Sequence, residues 1–292
     1  MPEQLDVKSL NTYGVNTWCP GCGNFGIERA AKLAFAELVN ESRVKRDSIV
    51  TVFGIGCHGK LADYLNLNSF YSLHGRVPAP ATGMKVSNPD LTVVGFAGDG
   101  DAYSEGLEHV MFAAKRNVDI TMVVHDNRVY ALTTGQFTPT SPKGFPGRST
   151  PKGAPEEPFN PIELMLVSGA TFVARGYVGN VNHLKDLIKQ AILHKGFALV
   201  DVLQPCVTFF DTYKYYNSRV YNLQDGKHDK SDWGLALTRA REWNYGGEDA
   251  VRIPIGVFYE IDRPTYDEVV GGGRKLQDTP TPSLRRVLQE EQ

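Results

Sequence analysis

The sequence lacks a charge excess, a long apolar run and an abundance of cysteine. Its 292 residues include 31 Lys and Arg against 33 Asp and Glu, so the formal net charge is −2. The chain has no long run of Lys and Arg, so it lacks the concentrated positive charge that binds a phosphate backbone, which argues against nucleic-acid binding. No stretch reaches the roughly 18 apolar residues of a membrane-spanning helix, so no membrane insertion is expected. The start, MPEQLDVKSL, lacks the basic and apolar blocks of a secretory signal, and we expect a cytoplasmic protein.

Cysteine is scarce, and the four thiols are unevenly spaced. They are Cys19, Cys22, Cys57 and Cys206. Four cysteines are too few for a disulfide scaffold in a chain of this length, and a reducing compartment is expected. Four is nevertheless the number of thiolates that closes a tetrathiolate metal site. The Cys19–Cys22 pair, with two residues between its thiols, has the spacing that wraps one metal centre.

Several roles compete for these cysteines. A thioredoxin-like dithiol shares the Trp-Cys-x-x-Cys pattern, but no strand precedes this one and its inner pair is Pro-Gly. Structural zinc fits four cysteines, although zinc sites usually pair two close knuckles whereas Cys57 and Cys206 are isolated. Each of those two, taken singly, is also compatible with an inert buried thiol. Spacing alone leaves zinc and an iron–sulfur cluster open and favours the cluster.

Apolar β-branched runs alternate with amphipathic stretches along most of the chain. The pattern predicts helices at 24–41, 103–116, 162–167 and 183–194, and strands at 49–53, 91–97, 119–125, 171–174 and 197–203. Such alternation predicts an α/β fold with a mainly parallel sheet and helices on both faces. Seven of the 17 prolines fall within 139–161, where no regular element should persist. We expect an α/β domain over 1–206 and an irregular C-terminal arm over 207–292, with one apolar run at 253–261.

The most informative passage surrounds GDGD at 98–101. It follows a predicted buried strand and precedes a helix, and the next strand ends at Asn127. Because the carboxyl ends of parallel strands lie at one edge of the sheet, Asp99 and Asn127 should converge, and their oxygens suit Mg²⁺. Gly98 and Gly100 let the backbone approach a phosphate, and the following helix offers free N–H groups. An isolated GDG would be a tight turn, but this context predicts a diphosphate clamp.

The same spacing resembles the thiamine diphosphate motif, and further segments extend the likeness. By the motif resemblance, Asp99, Asn127 and the backbone carbonyl of Val129 hold Mg²⁺. The segments that carry a wider resemblance are WCPGCGNFGI at 18–27, GIGCHGK at 54–60, HGRVPAPATGMK at 74–85, GDGDAYSEGLEH at 98–109 and HDNRVYALTTGQFTPTS at 125–141. Together they resemble the β, thiamine-diphosphate-binding, subunit of two-subunit 2-oxoacid:ferredoxin oxidoreductases.

This resemblance implies a thiamine diphosphate-binding fold and a set of site residues. The four cysteines would ligate a 4Fe-4S cluster close to the thiamine cofactor. The residues implied at the thiamine cofactor are Ile55, Gly56, Cys57, His58, His74, Gly98, Gly100, Asp101, Ala131 and Leu132. Of these, His58 and His74 are the candidates for a catalytic role. The implied reaction is oxidative decarboxylation of a 2-oxoacid with coenzyme A to acyl-CoA and CO₂, with electrons passing to ferredoxin, or the reverse reaction as CO₂ fixation.

The resemblance also implies a partner, because no Glu can be placed against the aminopyrimidine ring. The family supplies that Glu from the α subunit, so the chain alone should be inactive and should work in an αβ or (αβ)₂ assembly. We expect Lys60 to reach the distal carboxylate of 2-oxoglutarate and Leu132 to form an apolar wall of the same pocket. Pyruvate or broad 2-oxoacid specificity is the alternative. More distant alternatives are a non-redox thiamine diphosphate decarboxylase or ligase and a zinc-stabilised interaction subunit.

Overall fold

The apolar runs predicted as strands form one sheet. The computed structural model describes residues 4–246, 251–272, 274–275 and 278. Within this part of the chain, the strands are β1 Ile49–Phe53, β2 Asn68–Tyr71, β3 Thr92–Gly98, β4 Thr121–Asp126, β5 Phe172–Tyr177, β6 Ala198–Leu203, β7 Val220–Asn222 and β8 Ile253–Glu260. The α-helices are α1 Asn24–Asn40, α2 Pro78–Ser87, α3 Leu107–Arg116, α4 Pro161–Val167, α5 Val181–Leu193, α6 Tyr213–Asn217, α7 Trp233–Ala240 and α8 Tyr266–Gly271. Between β4 and α4, where the prolines cluster, the chain forms no helix or strand, as predicted.

The sheet is mainly parallel, as the alternation of elements predicted. Its strand order is β2-β1-β3-β4-β6-β5-β8-β7. The first six strands in this order pair in parallel, so the carboxyl ends of β1, β3 and β4 lie side by side at one edge. Strand β8 runs antiparallel to β5, and β7 runs parallel to β8. This arrangement brings the loops that follow β1, β3 and β4 together.

Helices cover both faces of the sheet, which confirms the predicted α/β class. Successive residues of a strand point to opposite faces, so Val94 packs in one apolar core with Phe35 of α1, whereas Val93 packs in the other with Val110 of α3. Burying each such side chain stabilises the fold by about 1.5–3 kcal/mol relative to exposure. Packing on both faces of the sheet fixes the positions of the strand ends relative to one another. None of the described helices combines the length and apolar character that a membrane crossing requires.

The helix predicted over 103–116 is divided in two. A π-helical turn covers Asp101–Glu105, and α3 begins only at Leu107. Gly106 separates them, and a side chain there would bring its Cβ to 2.6 Å from the carbonyl oxygen of Gly75. The division therefore allows a close backbone approach beside the GDGD segment, a place where π-turns often occur in functional sites.

The segment after Cys206 is more regular than the sequence suggested. Its described part contains α6, β7, α7, β8 and α8, and β8 accounts for the apolar run at 253–261. The first six of the eight residues of β8 are buried, which is typical of a strand covered on both faces. The sheet thus continues across the predicted boundary at residue 206, and the division into two domains stays a prediction. The remaining residues of the predicted arm, namely 247–250, 273, 276–277 and 279–292, lie outside the described residues.

Candidate active site

A cleft opens where β1, β3 and β4 end. All ten residues predicted at the thiamine cofactor line it, together with the predicted magnesium ligands Asp99, Asn127 and Val129; Tyr130 and Thr133 complete its wall. The ten are Ile55, Gly56, Cys57, His58, His74, Gly98, Gly100, Asp101, Ala131 and Leu132. The structure therefore brings together residues from four separate segments, and their individual binding roles stay predictions.

Glycines give the cleft its shape. A Cβ at Gly98 would lie 2.8 Å from Nδ1 of His58, and one at Gly100 would collide with the ring of Tyr130. Both rings can therefore pack directly on the backbone of the GDG turn only because side chains are absent there. The turn therefore has backbone without side chains next to a helical turn, an arrangement that suits the close approach of a diphosphate.

The predicted magnesium ligands present three kinds of oxygen. Asp99 is buried, and Oγ1 of Thr140 donates a hydrogen bond of 2.7 Å to its Oδ2. The N–H of Val129 donates to Oδ1 of Asn127 over 3.0 Å, which fixes the loop after β4. Burial raises the pKa of Asp99 to about 6, because its charge lacks solvent. All three residues line one cleft, and a desolvated carboxylate, an amide oxygen and a backbone carbonyl form a donor set that fits a hard cation such as Mg²⁺.

Asp101 organises two histidines on the same cleft. Its Oδ1 accepts a 2.7 Å hydrogen bond from the N–H of Gly75 and lies 2.6 Å from Nδ1 of His74. Its Oδ2 lies 3.3 Å from Nε2 of His58, an ion-pair distance without hydrogen-bond alignment. Burial alone would raise the pKa of Asp101, but the two histidines outweigh burial and hold that pKa well below its usual range. Asp101 therefore stays ionised and orients His74 through Nδ1.

Asp101→Asn should lower the pKa of His74. The hydrogen bond with Asp101 is the main cause that raises this pKa in the folded chain. A raised histidine pKa contributes stability that is present below the unfolded value of about 6.5 and is lost as pH rises through the folded value. NMR titration of the His74 ring should therefore show a lower midpoint in the variant. Glu105→Gln, which removes a weaker electrostatic contribution, is the control; an unchanged midpoint in Asp101→Asn would contradict this role.

The four cysteines line a second cavity next to the cleft. Cys19, Cys22, Cys57 and Cys206 all face it, and none forms a disulfide. Three residues line both cavities, namely Cys57, Asn127 and Ala131. Nε1 of Trp18 donates a 2.6 Å hydrogen bond to the carbonyl of Cys57, which ties the Cys19–Cys22 loop to the loop after β1. The sulfur cavity and the cofactor cleft thus share one wall.

Polar side chains reach the sulfurs. Oγ1 of Thr208 donates to Sγ of Cys19 over 3.3 Å, and Nε2 of Gln204 donates to Sγ of Cys22 over 3.8 Å. Burial raises the pKa of Cys22 to about 12, and the three neighbouring cysteines add to this effect. Four neighbouring thiolates repel one another, so all four thiols can be deprotonated together only around a positively charged centre. The cavity therefore collects four thiols, and hydrogen-bond donors are directed at two of their sulfurs.

Zinc sites and iron–sulfur clusters differ in the spacing of their sulfur ligands. Within the described chain, no three Cys, His, Asp or Glu side chains stand close enough to ligate one metal ion. Tetrahedral zinc, with Zn–S bonds of about 2.3 Å, requires sulfurs about 3.8 Å apart. In a 4Fe-4S cluster each thiolate binds a different iron, so the sulfurs stand further apart. The four cysteines line one cavity, and the choice between zinc and a cluster stays a prediction here.

Lys60 and Leu132, predicted to share a substrate pocket, line different cavities. Leu132 lines the cofactor cleft, whereas Lys60 lines the cysteine cavity, with Nζ 3.5 Å from the carbonyl of Thr17. Burial raises the pKa of Cys57, and the Lys60 ammonium opposes this. Since Cys57 lines both cavities, Lys60 lies across their common wall from the cleft, and its substrate contact stays a prediction.

Several supporting residues escaped sequence reasoning. Tyr130 packs on Gly100, Thr140 supports Asp99, and Gln204 and Thr208 bond the sulfurs. Tyr130 and Thr140 belong to the segment at 125–141, but its pattern does not reveal which side chain meets which partner. Their roles depend on long-range contacts that appear only in the folded chain.

Comparison with known proteins agrees with this geometry. A family model described as thiamine pyrophosphate enzyme, C-terminal TPP binding domain, matches residues 54–202, and one for the C-terminal part of the pyruvate ferredoxin oxidoreductase beta subunit matches residues 206–275. The chain is 42% identical to a 2-oxoacid:ferredoxin oxidoreductase subunit beta of Sulfolobus, covering 94% of this chain and 92% of the relative. It is also 42% identical to the 2-oxoglutarate oxidoreductase subunit KorB of Mycobacterium tuberculosis, covering 93% and 83%.

A solved structure matches nearly the whole chain. It is the 2-oxoglutarate:ferredoxin oxidoreductase from Magnetococcus marinus with 2-oxoglutarate, coenzyme A and succinyl-CoA bound, and the TM-score is 0.88 at 35% identity. The match covers 99% of this chain and 96% of that one. Together with the thiamine-type cleft, these matches show that the chain belongs to the 2-oxoacid:ferredoxin oxidoreductase family, as a beta subunit.

Proposed function

We propose that this beta subunit holds thiamine diphosphate with Mg²⁺ in the cleft and a 4Fe-4S cluster on its four cysteines, and that its substrate is 2-oxoglutarate. With its α subunit it converts the 2-oxoacid and coenzyme A to acyl-CoA and CO₂ and passes electrons to ferredoxin, or runs the reverse reaction. The observation that carries the proposal is the common wall, because Cys57, Asn127 and Ala131 line both cavities. A common wall gives electrons a short route between two cofactors.

The chain's own residues have distinct tasks in this scheme. Thiamine diphosphate, when bound, supplies a carbon nucleophile for the keto carbon of a 2-oxoacid and holds the electron pair that remains when CO₂ leaves. The oxygens of Asp99, Asn127 and Val129 would hold the Mg²⁺ that neutralises the diphosphate. Asp101 keeps His74 oriented on the cleft, with the proton at Nδ1 held between them and Nε2 left available.

The cysteine cavity supplies the redox half of the proposal. An iron–sulfur cluster accepts electrons one at a time, which matches a one-electron carrier such as ferredoxin. Cys19, Cys22, Cys57 and Cys206 would ligate it. The hydrogen bonds from Thr208 and Gln204 to two of the sulfurs would tune its reduction potential. Membership of the oxidoreductase family favours this role over non-redox decarboxylation and over a zinc-stabilised interaction subunit.

The proposed site needs the α subunit to be complete. The described residues that line the cleft include no Glu, and the α subunit would supply the acid that faces the aminopyrimidine ring. Relatives named as beta subunits imply such a partner, and an αβ or (αβ)₂ assembly is the arrangement we propose. Most contacts to coenzyme A would also come from that partner. The cytoplasmic location stays a prediction.

The choice of 2-oxoglutarate rests on Lys60 and on the relatives. The relatives from Mycobacterium tuberculosis and Magnetococcus marinus are named for 2-oxoglutarate. The Sulfolobus relative is named for 2-oxoacids in general, and the C-terminal family model is described by pyruvate, so broad specificity or pyruvate is the alternative. Lys60 lines the cysteine cavity with Cys57, close enough for its positive charge to lower the pKa of that thiol.

Lys60→Ala should impair turnover of 2-oxoglutarate more than turnover of pyruvate. A charge-assisted contact to the distal carboxylate contributes roughly 1.5–3 kcal/mol, which corresponds to a loss of about 10- to 100-fold in kcat/KM. A panel of 2-oxoacids assayed with the αβ complex and ferredoxin measures both losses. Lys60→Arg, which keeps the charge, is the control and should retain the preference. Equal losses on both substrates would contradict the dicarboxylate contact and would point to an effect on the cysteine cavity instead.

A further inference from the structure

Arg128 lies between two of the proposed magnesium ligands, yet its side chain is directed into the protein. Only 2% of its surface is exposed, and its backbone has φ of 61°, in the left-handed region that non-glycine residues rarely adopt. Asn127 precedes it and Val129 follows it, so any shift of Arg128 moves both proposed ligands. A buried cation in a strained loop requires a specific set of partners.

Those partners are carbonyl oxygens and aromatic rings. Nε donates a 2.8 Å hydrogen bond to the carbonyl of Thr140, and an Nη group donates to the carbonyl of Tyr245. The guanidinium carbon lies 5.3–5.6 Å from the ring centres of Phe210, Trp243 and Tyr245. The planar fork of an arginine can bond two carbonyls at a fixed angle while its faces stack on rings, which neither lysine nor an apolar side chain can do.

Each of these partners leads to a different part of the site. Thr140, whose carbonyl accepts from Arg128, also bonds the carboxylate of Asp99 through its hydroxyl. Phe210 exchanges two backbone hydrogen bonds with Cys206, of 2.9 and 3.2 Å. Tyr245 belongs to the C-terminal segment that follows α7. One side chain therefore contacts the magnesium loop, the support of Asp99, the loop of the fourth cysteine and the C-terminal segment.

We propose that Arg128 is a positioning residue that fixes the magnesium loop and the Cys206 loop relative to each other. The inference rests on the proposed function, because it concerns the sites assigned there to Mg²⁺ and to the cluster. The guanidinium also offsets the negative charge of the buried Asp126 and Asp201, so its removal should lower stability as well. The forked bonds set the orientation of the loop that carries Asn127 and the carbonyl of Val129.

Arg175 provides a matched control. It too is fully buried, and its guanidinium carbon lies 5.1 Å from the ring centres of Trp243 and Tyr245. Arg175 lies in β5, and its hydrogen bonds go to Oη of Tyr245 and to the carbonyl of Pro254 in β8, so it stabilises the same aromatic cluster from the sheet. Removing Arg175 should weaken the fold without reaching the magnesium loop.

The test compares Arg128→Met, Arg128→Lys and Arg175→Met in the full chain purified anaerobically with its α subunit. After Mg²⁺ is removed with a chelator, binding of thiamine diphosphate is measured by calorimetry as Mg²⁺ is added, and iron is counted per chain. Arg128→Met should raise the Mg²⁺ half-saturation concentration by roughly 10- to 100-fold and should retain less iron. Arg128→Lys should show a smaller shift. Arg175→Met should lower the unfolding temperature but keep the wild-type Mg²⁺ and iron values.

Three outcomes overturn the inference. One is wild-type Mg²⁺ half-saturation in the Arg128 variants, and another is an equal shift in Arg175→Met, which would show a general loss of stability. If Arg128→Met does not fold, Arg128→Lys decides between the first outcome and the proposal. In the third outcome, the wild-type protein binds thiamine diphosphate without regard to Mg²⁺, and then the proposed metal site itself fails. A Mg²⁺-dependent wild type with unaffected Arg128 variants overturns the positioning role alone.

Discussion

Asp99→Ala should abolish the Mg²⁺-dependent binding of thiamine diphosphate. Asp99 provides the only carboxylate among the three proposed ligands, and it is buried where water cannot replace it. Without it, the diphosphate would face two neutral oxygens and an incompletely neutralised cation. Loss of residues that merely support metal ligands costs about 10- to 100-fold in affinity, so loss of the ligand itself should cost more. Calorimetry with thiamine diphosphate at fixed Mg²⁺ measures the effect.

The pH dependence of the wild type provides a second measurement of the same site. Because burial raises the pKa of Asp99 to about 6, protons compete with the metal below that pH and the Mg²⁺ half-saturation concentration should rise. In the metal-free protein, the carboxyl group of Asp99 binds its proton more tightly in the folded chain than in the unfolded chain. The contribution of Asp99 to metal-free stability should therefore decline as pH rises from the ordinary pKa of 3.8 to about 6.

Asp201→Asn is the matched control for Asp99→Ala. Asp201 is also fully buried with a raised pKa, and its carboxylate accepts hydrogen bonds from the hydroxyls of Tyr103 and Tyr245. It does not line the cofactor cleft within the described chain. This variant should unfold more easily but should still bind thiamine diphosphate with Mg²⁺. Normal cofactor binding in Asp99→Ala, or equal loss in both variants, would contradict the magnesium assignment.

The sequence predicted the cleft well because one topological rule determines its position. Parallel strands place their carboxyl ends at one edge, so Asp99 after β3 and Asn127 after β4 had to lie close together once both runs were recognised as neighbouring strands. The pairing of β3 with β4 confirms that relation. The glycines at 98 and 100 were also interpretable, since close backbone packing is a local requirement.

Features that depend on distant partners were not predictable in the same way. The apolar run at 253–261 indicates a strand, but nothing local shows that it pairs antiparallel with β5, which lies far earlier in the chain. The position of Lys60 in the cysteine cavity follows from the 3-10 turn after Cys57, which directs successive side chains to different cavities. The buried partners of Arg128 come from three segments, so its sequence neighbours give no indication of its role.

Cys22→Ser should remove the electron-transfer function while leaving the thiamine cleft able to bind its cofactor. Cys22 is partly buried and, unlike Cys57, does not line the cofactor cleft. A serine hydroxyl is a poor replacement for a thiolate on iron, so the remaining three sulfurs should hold at most an incomplete cluster. Ferredoxin reduction by the αβ complex should fall to background, and the brown colour of anaerobically purified protein should fade.

Thr208→Val is the control for Cys22→Ser, and the metal content of the wild type can contradict the proposed cluster. Thr208→Val removes a hydrogen bond to Cys19 but keeps all four sulfurs, so it should retain about four irons per chain and shift only the reduction potential. Colourless wild-type protein with stoichiometric zinc would instead support the zinc-stabilised subunit. Colourless, metal-free protein that still turns over pyruvate would support a non-redox decarboxylase. Iron in the wild type and its loss in Cys22→Ser is the result that the proposed cluster predicts.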